Sequence, residues 1–252
     1  MERLLEYLNC VEKVAASGGL VRGARPDFYL VCPCCKSQTQ LPPFDDAGHK
    51  ICFAPSSVGM FKFPFDPVYS AGYEDYFELV AARQTGNFPY LLEAYRLYKG
   101  TGGAYAAAFA NFGDDMFILS SCWGLVSAKF KLPCYNFEFS VRQKRQPTPT
   151  SLTRYINYDG CDTCNAWLNT GFFHLAQPAF ENPLKPVGIV GGQQYIRRFK
   201  YLYSVNGLQN PVIALVGEDK VHSYLTAAKP KNWHIKRIDG YTNWQYWYMK
   251  NL

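Results

Sequence analysis

Several common functional signatures are absent from this sequence of 252 residues. No run approaches the roughly eighteen apolar residues that cross a bilayer, so we expect no membrane-spanning helix and no membrane partner. The chain has no P-loop, no G-x-S-x-G elbow and no serine–histidine–aspartate order, so nucleoside triphosphatases and hydrolases of those types have no support. It also has no internal repeats. Glu2, Glu6 and Glu12 interrupt the first apolar positions, unlike a secretory signal, so we expect a cytoplasmic protein.

The cysteines do not form the even set that a disulfide framework requires. There are nine, in a chain that lacks the pattern of a signal peptide. Two C-x-x-C pairs occur, Cys32 with Cys35 and Cys161 with Cys164, but they are separated by far more than the spacing of a zinc knuckle. We therefore expect no metal and no cofactor, with a structural zinc ion at Cys161 and Cys164 as the alternative.

Length and composition favour a single α/β domain over 1–252 with long loops at 33–67 and 141–186. A chain of this size buries a substantial core. Aromatic residues make up 17% of the chain, more than is needed to fill that core. Some of the rings are therefore expected in a groove or on the surface, where aromatic side chains stack on ligands.

Positive charge is concentrated in the last quarter of the chain. From Lys185 onward there are ten Lys or Arg and three Asp or Glu, although the net charge of the whole chain is only +6. A basic segment rich in aromatic rings is typical of proteins that bind a phosphate backbone and unstacked bases. A solvated basic face is the alternative. The candidate DNA-backbone contacts are Arg197, Arg198, Lys229, Lys231, Lys236 and Arg237.

Short apolar runs predict the strands of a mostly parallel sheet. Met116–Leu119 is bounded by two acids and two serines, as in a strand buried on both faces. Similar runs occupy Phe28–Cys32, Pro186–Val190 and Val212–Val216, and the charged alternation at His234–Ile238 indicates an edge strand. We expect a three-layer α/β sandwich with a central sheet of four to five strands. Helices are predicted over residues 2–16, 73–83, 87–99, 104–112, 195–205 and 218–228, with a last one near the C-terminus.

Ligands of open α/β sheets bind beyond the carboxyl ends of the strands, so the residues that follow the predicted strands are candidate site residues. Gly191–Gly192 leads directly into a helix, which favours an anion site at the helix N-terminus. The C-terminal segment has five rings in eight residues; we expect Trp247 and Tyr248 in the core and Trp244 at a site. The candidate substrate-binding residues are Lys36, Ser120, Trp123, Tyr135, Gln193, Gln194, Asn243 and Trp244. The alternative is a set of strand ends, turns and core aromatics without a ligand.

Three segments carry a resemblance to a known family. Ser120–Val126 fits an aromatic-Gly-Leu-Val pattern after a strand, with Pro-x-Tyr at Pro133–Tyr135; Tyr29–Lys36 and Val187–Arg197 fit the same family in the same order. This pattern resembles the YaaA-like proteins, which are similar in fold to the uracil-DNA glycosylases and to the extra domain of some tRNA-guanine transglycosylases. This chain has Asn136 where the family usually has an acid. The resemblance implies a uracil-DNA-glycosylase-like fold.

The function implied by this resemblance is a DNA glycosylase that flips out and excises a modified base, such as a bulky hypermodified base of phage DNA, in antiviral defence. Cleavage of an N-glycosidic bond needs a carboxylate that activates water or stabilises an oxocarbenium-like sugar. Glu138 is the candidate acid, with Asn136 orienting water or base and Asp45 in reserve. Glu138 alternates with two phenylalanines, so the polar face of a strand is its other interpretation. A non-catalytic YaaA-like DNA-binding protein and a tRNA-modification accessory module are the alternative functions.

Overall fold

The computed structural model describes residues 1–17, 25–35, 37–42, 80, 82–120, 124–134, 137–140, 154–157, 180–217, 230–238 and 244–252. The helices are α1 (Glu2–Ser17), α2 (Ala94–Leu97), α3 (Ala104–Phe112), α4 (Gln193–Val205) and α5 (Trp244–Asn251). The strands are β1 (Tyr29–Pro33), β2 (Leu92–Glu93), β3 (Met116–Ser120), β4 (Gly124–Ser127), β5 (Lys131–Leu132), β6 (Phe137–Ser140), β7 (Arg154–Asn157), β8 (Val187–Val190), β9 (Val212–Val216) and β10 (Trp233–Arg237).

One mixed sheet organises the molecule. Its six strands lie in the order β10-β9-β8-β1-β3-β4. Neighbours from β10 to β3 pair in parallel, and β4 pairs antiparallel with β3. Every residue of β1, β3, β8 and β9 is buried, which explains why these strands are continuous apolar runs in the sequence. The α/β class is therefore confirmed, but the prediction of four to five strands is too low, because β4 folds back beside β3.

Helices cover both faces of this sheet. Trp233, Val212, Val187 and Tyr29 are register partners and so point to one face. Phe199 of α4 packs on Trp233 with 5.8 Å between ring centroids, which places α4 on that face. The preceding residue, Phe28, points the other way and meets Phe112 of α3 at 5.0 Å. Helix α5 contacts α3 and lies in the same layer.

The chain changes direction at β1. It passes from β1 to β3 on one side of β1, and then returns to β8 on the other side before continuing to β9 and β10. A sheet in which connections leave a central strand in opposite directions opens a crevice at the carboxyl ends of the strands beside that point. The crevice of this fold is therefore expected where β1 and β8 end.

Two small sheets were not predicted. Strands β2 and β5 pair antiparallel, and β6 and β7 pair in parallel. The predicted helix over 87–99 is wrong except for α2, because the N–H groups of Ala94 and Tyr95 donate to the carbonyl oxygens of Phe130 and Ala128 in a neighbouring segment. The predicted helix over 218–228 lies outside the described residues. The predicted loop at 141–186 contains β7, and most of the loop at 33–67 lies outside the described residues.

Within the described part of the chain, no helix is long and apolar enough to cross a membrane.

Candidate functional site

The carboxyl edge of the sheet brings together the ends of three neighbouring parallel strands. β1 ends at Pro33, β3 at Ser120 and β8 at Val190. Because β1 pairs in parallel with both β3 and β8, all three chains leave the sheet at the same edge. The segments leading to Lys36 and Gln193, which are far apart in the sequence, therefore begin side by side.

Two phenols hold the end of β1 from opposite layers. The Tyr105 hydroxyl, from the first turn of α3, donates a hydrogen bond to the Pro33 carbonyl at 2.6 Å. The Tyr195 hydroxyl, from the first turn of α4, donates to the Cys34 carbonyl at 2.8 Å. The Cys34 N–H in turn donates to the Leu119 carbonyl at 3.1 Å, which continues the pairing with β3. Helices on both faces thus fix the backbone that leads to Lys36.

Burial favours the neutral forms of one thiol and three phenols at this edge. Burial raises the pKa of the Cys35 thiol, whose Sγ donates to the Ser37 carbonyl at 3.1 Å. Burial also raises the pKa of the Tyr105 and Tyr195 phenols well above the ordinary value, and raises the pKa of Tyr246. Neutral phenols and thiols donate hydrogen bonds but are poor nucleophiles and bases. These groups can position a ligand or a loop, and they are not activated for covalent catalysis.

The start of α4 is packed closely against the end of β1. A Cβ on Gly191 would lie 3.0 Å from the Tyr195 Cβ and 3.6 Å from the Pro33 Cβ, so only glycine fits without displacing a neighbour. The helix begins at Gln193, directly after the last residues of β8, and its N-terminus lies at the carboxyl edge. Free N–H groups and the helix dipole attract anions at such a position. The prediction of a strand, two glycines and a helix is confirmed.

Ser120 and Trp244 lie at this edge but are buried. Ser120 is fully buried opposite Gly124 of β4, inside the sheet and away from an open rim. Trp244 is 9% exposed, and its indole fills the space beside Gly217, immediately after β9. A Trp244 ring packed in this way cannot stack on a ligand without moving. The prediction that Tyr248 is a core residue is confirmed, and Trp247 is half-buried against the same core.

The predicted DNA-backbone residues that the structure describes lie at different places on the sheet. The Lys236 side chain is 10% exposed and its Nζ lies 2.5 Å from Glu12 and 2.7 Å from Asn9, so it ties β10 to α1. Lys231 precedes β10 and therefore lies at the opposite, amino edge. Arg237 is exposed and ends β10 at the carboxyl edge. The backbones of Arg197 and Arg198 belong to α4; their side chains, and those of Gln193 and Gln194, are outside what the structure describes.

Glu138 belongs to a strand that contacts α4. It lies in β6, which pairs with β7 and contacts α4 through its backbone. The description of Glu138 is limited to this backbone. The remaining predicted positions lie outside the described residues: Lys36, Asp45, Trp123, Tyr135, Asn136, Lys229 and Asn243.

Sequence reasoning missed the tyrosines of this edge. Tyr105, Tyr195 and Tyr246 all lie in the first turn of a helix, and the side chains of a first turn point back toward the strand ends. Tyrosine recurs at the second or third position of α3, α4 and α5, and a tyrosine near the start of a predicted helix was a usable signal.

No group of three or more His, Cys, Asp or Glu side chains among the described residues is placed to hold a metal ion. Cys161 and Cys164, the positions named for structural zinc, lie outside those residues. Cys32 is fully buried in β1, and burial raises the pKa of its thiol, as expected of a core cysteine.

No protein-family model matches this sequence, and no curated protein and no solved structure matches it either.

Proposed function

We propose that this protein binds DNA at the carboxyl edge of its sheet and excises a modified base that has been flipped out of the duplex. The observation that carries the proposal is the adjacency of β1, β3 and β8, with the start of α4 packed against the end of β1. A flipped nucleotide needs a phosphate contact, a crevice for the base and a group that acts on the glycosidic bond. The arrangement offers a place for each at one edge.

The phosphate contact is assigned to the start of α4. Backbone N–H groups at a helix N-terminus bind phosphate oxygens without a lysine or arginine, so the loss of Lys231 and Lys236 from the predicted basic surface does not remove this contact. Arg237 lies at the same edge of the sheet. Lys36 follows the fixed backbone of residues 33–35 in the sequence and is proposed as a second contact.

The chemical step is assigned to Glu138. Its strand contacts α4, which is consistent with a carboxylate near the phosphate-binding turn. An oxocarbenium-like sugar is stabilised by a nearby carboxylate, which also activates water. Asn136 would orient the water or the base, and Asp45 is the reserve acid. We further propose that the three layers belong to the uracil-DNA-glycosylase-like architecture, and that a hypermodified base of phage DNA is the target; both rest on the sequence resemblance.

Excision is tested by incubating the protein with plain and hypermodified phage genomes and then with alkali, which breaks strands at abasic sites. We expect breaks in a modified genome only. Glu138→Gln should abolish them while DNA binding is retained, and Glu181→Gln, at an exposed acid that precedes β8 at the amino edge, should cleave like the wild type. Wild-type protein that leaves no alkali-labile site in any genome would contradict the proposal.

Binding without excision is the second candidate function. It is favoured by the neutral state of Tyr105, Tyr195 and Cys35, which offers hydrogen bonds but no acid or base. A binding protein would show salt-dependent affinity for DNA and no strand lability. Preferential protection of tRNA over duplex DNA would instead indicate a tRNA-modification module.

A further inference from the structure

A cavity lies at the amino edge of the sheet, opposite the candidate DNA site. It has a volume of about 680 Å³, within the usual range for small-molecule sites, and is formed between α1 and the segment Arg25–Asp27. Asp27 and Pro186, which border it, precede β1 and β8, so the cavity lies at the amino edge and is separate from the candidate DNA site. Leu4, Pro26 and Pro186 give it an apolar wall.

Arg25 brings an incompletely paired cation to this cavity. Its guanidinium carbon lies 3.7 Å from the centroid of the Phe112 ring, so the group is stacked on that ring. Its Nη1 is buried and has no hydrogen-bond partner in the described structure. Burial lowers the pKa of Arg25, although Tyr7, Asp115 and Asp27 act in the other direction. An arginine nevertheless keeps its charge, so its donors favour an anionic acceptor.

The neighbouring acids are already paired with another cation. Lys185 Nζ lies 2.6 Å from Asp27 Oδ1 and 2.8 Å from Asp115 Oδ1. Within the described residues, the ion-pair partner of both carboxylates is therefore Lys185. Of the two arginines that border the cavity, Arg3 and Arg25, Arg25 is the one with a buried Nη1 that lacks a hydrogen-bond partner in the described structure.

We propose that this cavity binds a small amphipathic carboxylate, with the carboxylate on the Arg25 guanidinium and the apolar chain against Leu4, Pro26 and Pro186. A guanidinium and a carboxylate have opposite charges and complementary planar geometries. Arg3 and Arg25 border the cavity together with Glu6 and Asp27, so the local charge is balanced and a dianion such as phosphate is disfavoured. This site is independent of the proposed DNA chemistry.

Calorimetric titration with hexanoate tests the proposal, with hexanamide as the neutral analogue of the same shape and inorganic phosphate as the dianion. We expect hexanoate to bind the wild type in the millimolar range, at least about tenfold more tightly than hexanamide. Inorganic phosphate should bind more weakly than hexanoate. Equal affinity for hexanoate and hexanamide, tighter binding of phosphate, or no heat of binding up to about 10 mM hexanoate would overturn the assignment.

Variants locate the site. Arg25→Gln should weaken hexanoate binding by about tenfold or more. Arg83→Gln is the matched control, because Arg83 also stacks on a phenylalanine ring but does not border the cavity, and its affinity should stay at the wild-type value. Cys10→Trp fills the exposed mouth and leaves Arg25 in place, so it should also abolish binding while circular dichroism shows an intact fold. Wild-type affinity in both Arg25→Gln and Cys10→Trp would refute the site.

Discussion

The two edges of the central sheet are built from different chemistry. At the carboxyl edge, the phenols of Tyr105 and Tyr195 donate neutral hydrogen bonds to the carbonyl oxygens of Pro33 and Cys34. At the amino edge, Lys185 bridges Asp27 and Asp115, and Arg25 stacks beside them. The hydrogen bonds of Tyr105 and Tyr195, which we call the clamp, are neutral and leave the positive end of the α4 dipole uncompensated. At the amino edge, by contrast, ion pairs hold the starts of the strands.

This difference has a consequence for ligands. At the carboxyl edge, the described hydrogen bonds to the end of β1 come from neutral phenols, and the proposed phosphate contact is the start of α4. Anions approaching the amino edge meet Glu6 and Asp27 as well as Arg3 and Arg25, which admits one negative charge and disfavours two. The two proposals therefore assign a polyanion to one edge of the sheet and a small carboxylate to the other.

The largest loss of stability is expected from a substitution of Gly217, where the carboxyl edge has no room for a side chain. A Cβ at residue 217 would collide with the Trp244 indole, which is enclosed in the core. Gly217→Ala should lower the free energy of unfolding by about 1–3 kcal/mol, as measured in urea.

The control is a double variant that restores the space. Trp244→Phe alone leaves a cavity and is also destabilising, but Gly217→Ala with Trp244→Phe should be less destabilised than the sum of the two single changes. Strict additivity of the three measurements would show that the contact with Trp244 does not determine the cost.

The stability contributed by the ion pairs of the amino edge is expected to depend on salt concentration. Lys185→Met keeps an unbranched apolar side chain and removes the ammonium, which lies over the Tyr29 ring and is bound to Asp27 and Asp115, so it should cost about 1 kcal/mol at low ionic strength. The cost should shrink in high salt, because Asp27 is largely exposed and its charge is screened. Unfolding in urea at low and high salt measures both values.

Two variants serve as controls for the salt dependence of Lys185→Met. Lys129→Met breaks an exposed pair with Asp114 and should leave stability unchanged. Tyr105→Phe removes the neutral hydrogen bond to Pro33 and should cost about 1 kcal/mol at any salt concentration. Equal salt dependence for Lys185→Met and Tyr105→Phe would refute the difference between the edges.

The strands of the sheet could be predicted because their signal is local. Met116–Ser120 and Val212–Val216 are short buried apolar runs, and the 104–112 helix was predicted with the bounds that α3 has. Strand β4 was missed because its backbone is fixed by pairing with β3 after a turn, and the helix over 87–99 failed because Ala94 donates to Phe130, a partner far along the chain.

The clamp itself could not be derived from the sequence. Tyr105 bonds a carbonyl 72 positions away, and Tyr195 bonds one 161 positions away. No periodicity encodes such pairs, since they depend on how two helices dock on the end of β1. Lys236 shows the opposite error: its charge suggested a DNA contact, but docking of α1 beside β10 brought Glu12 within 2.5 Å.

The smallest effect near neutral pH is expected from the ionisation of the buried tyrosines, which lowers the free energy of unfolding only at alkaline pH. A phenol ionises near pH 10 in an unfolded chain, and burial raises the pKa of Tyr105 and Tyr195 in the folded state. The folded state therefore holds these protons more tightly, so their contribution to stability is full below about pH 10 and is lost as the pH rises toward the folded-state pKa.

Lys185 adds to the same alkaline loss from the other edge. Burial acts to lower the pKa of Lys185, but its hydrogen bonds to Asp115 and Asp27 outweigh this and raise it. The free energy of unfolding measured in urea should therefore fall less steeply above about pH 10 in the double variant Tyr105→Phe with Tyr195→Phe, and also in Lys185→Met. Only the tyrosine variant should lose the late part of the phenolate absorbance titration. A tyrosine variant with the full wild-type alkaline slope would mean that the clamp's phenols already ionise as they do in the unfolded chain, and the neutral carboxyl edge would no longer be distinct from the charged amino edge.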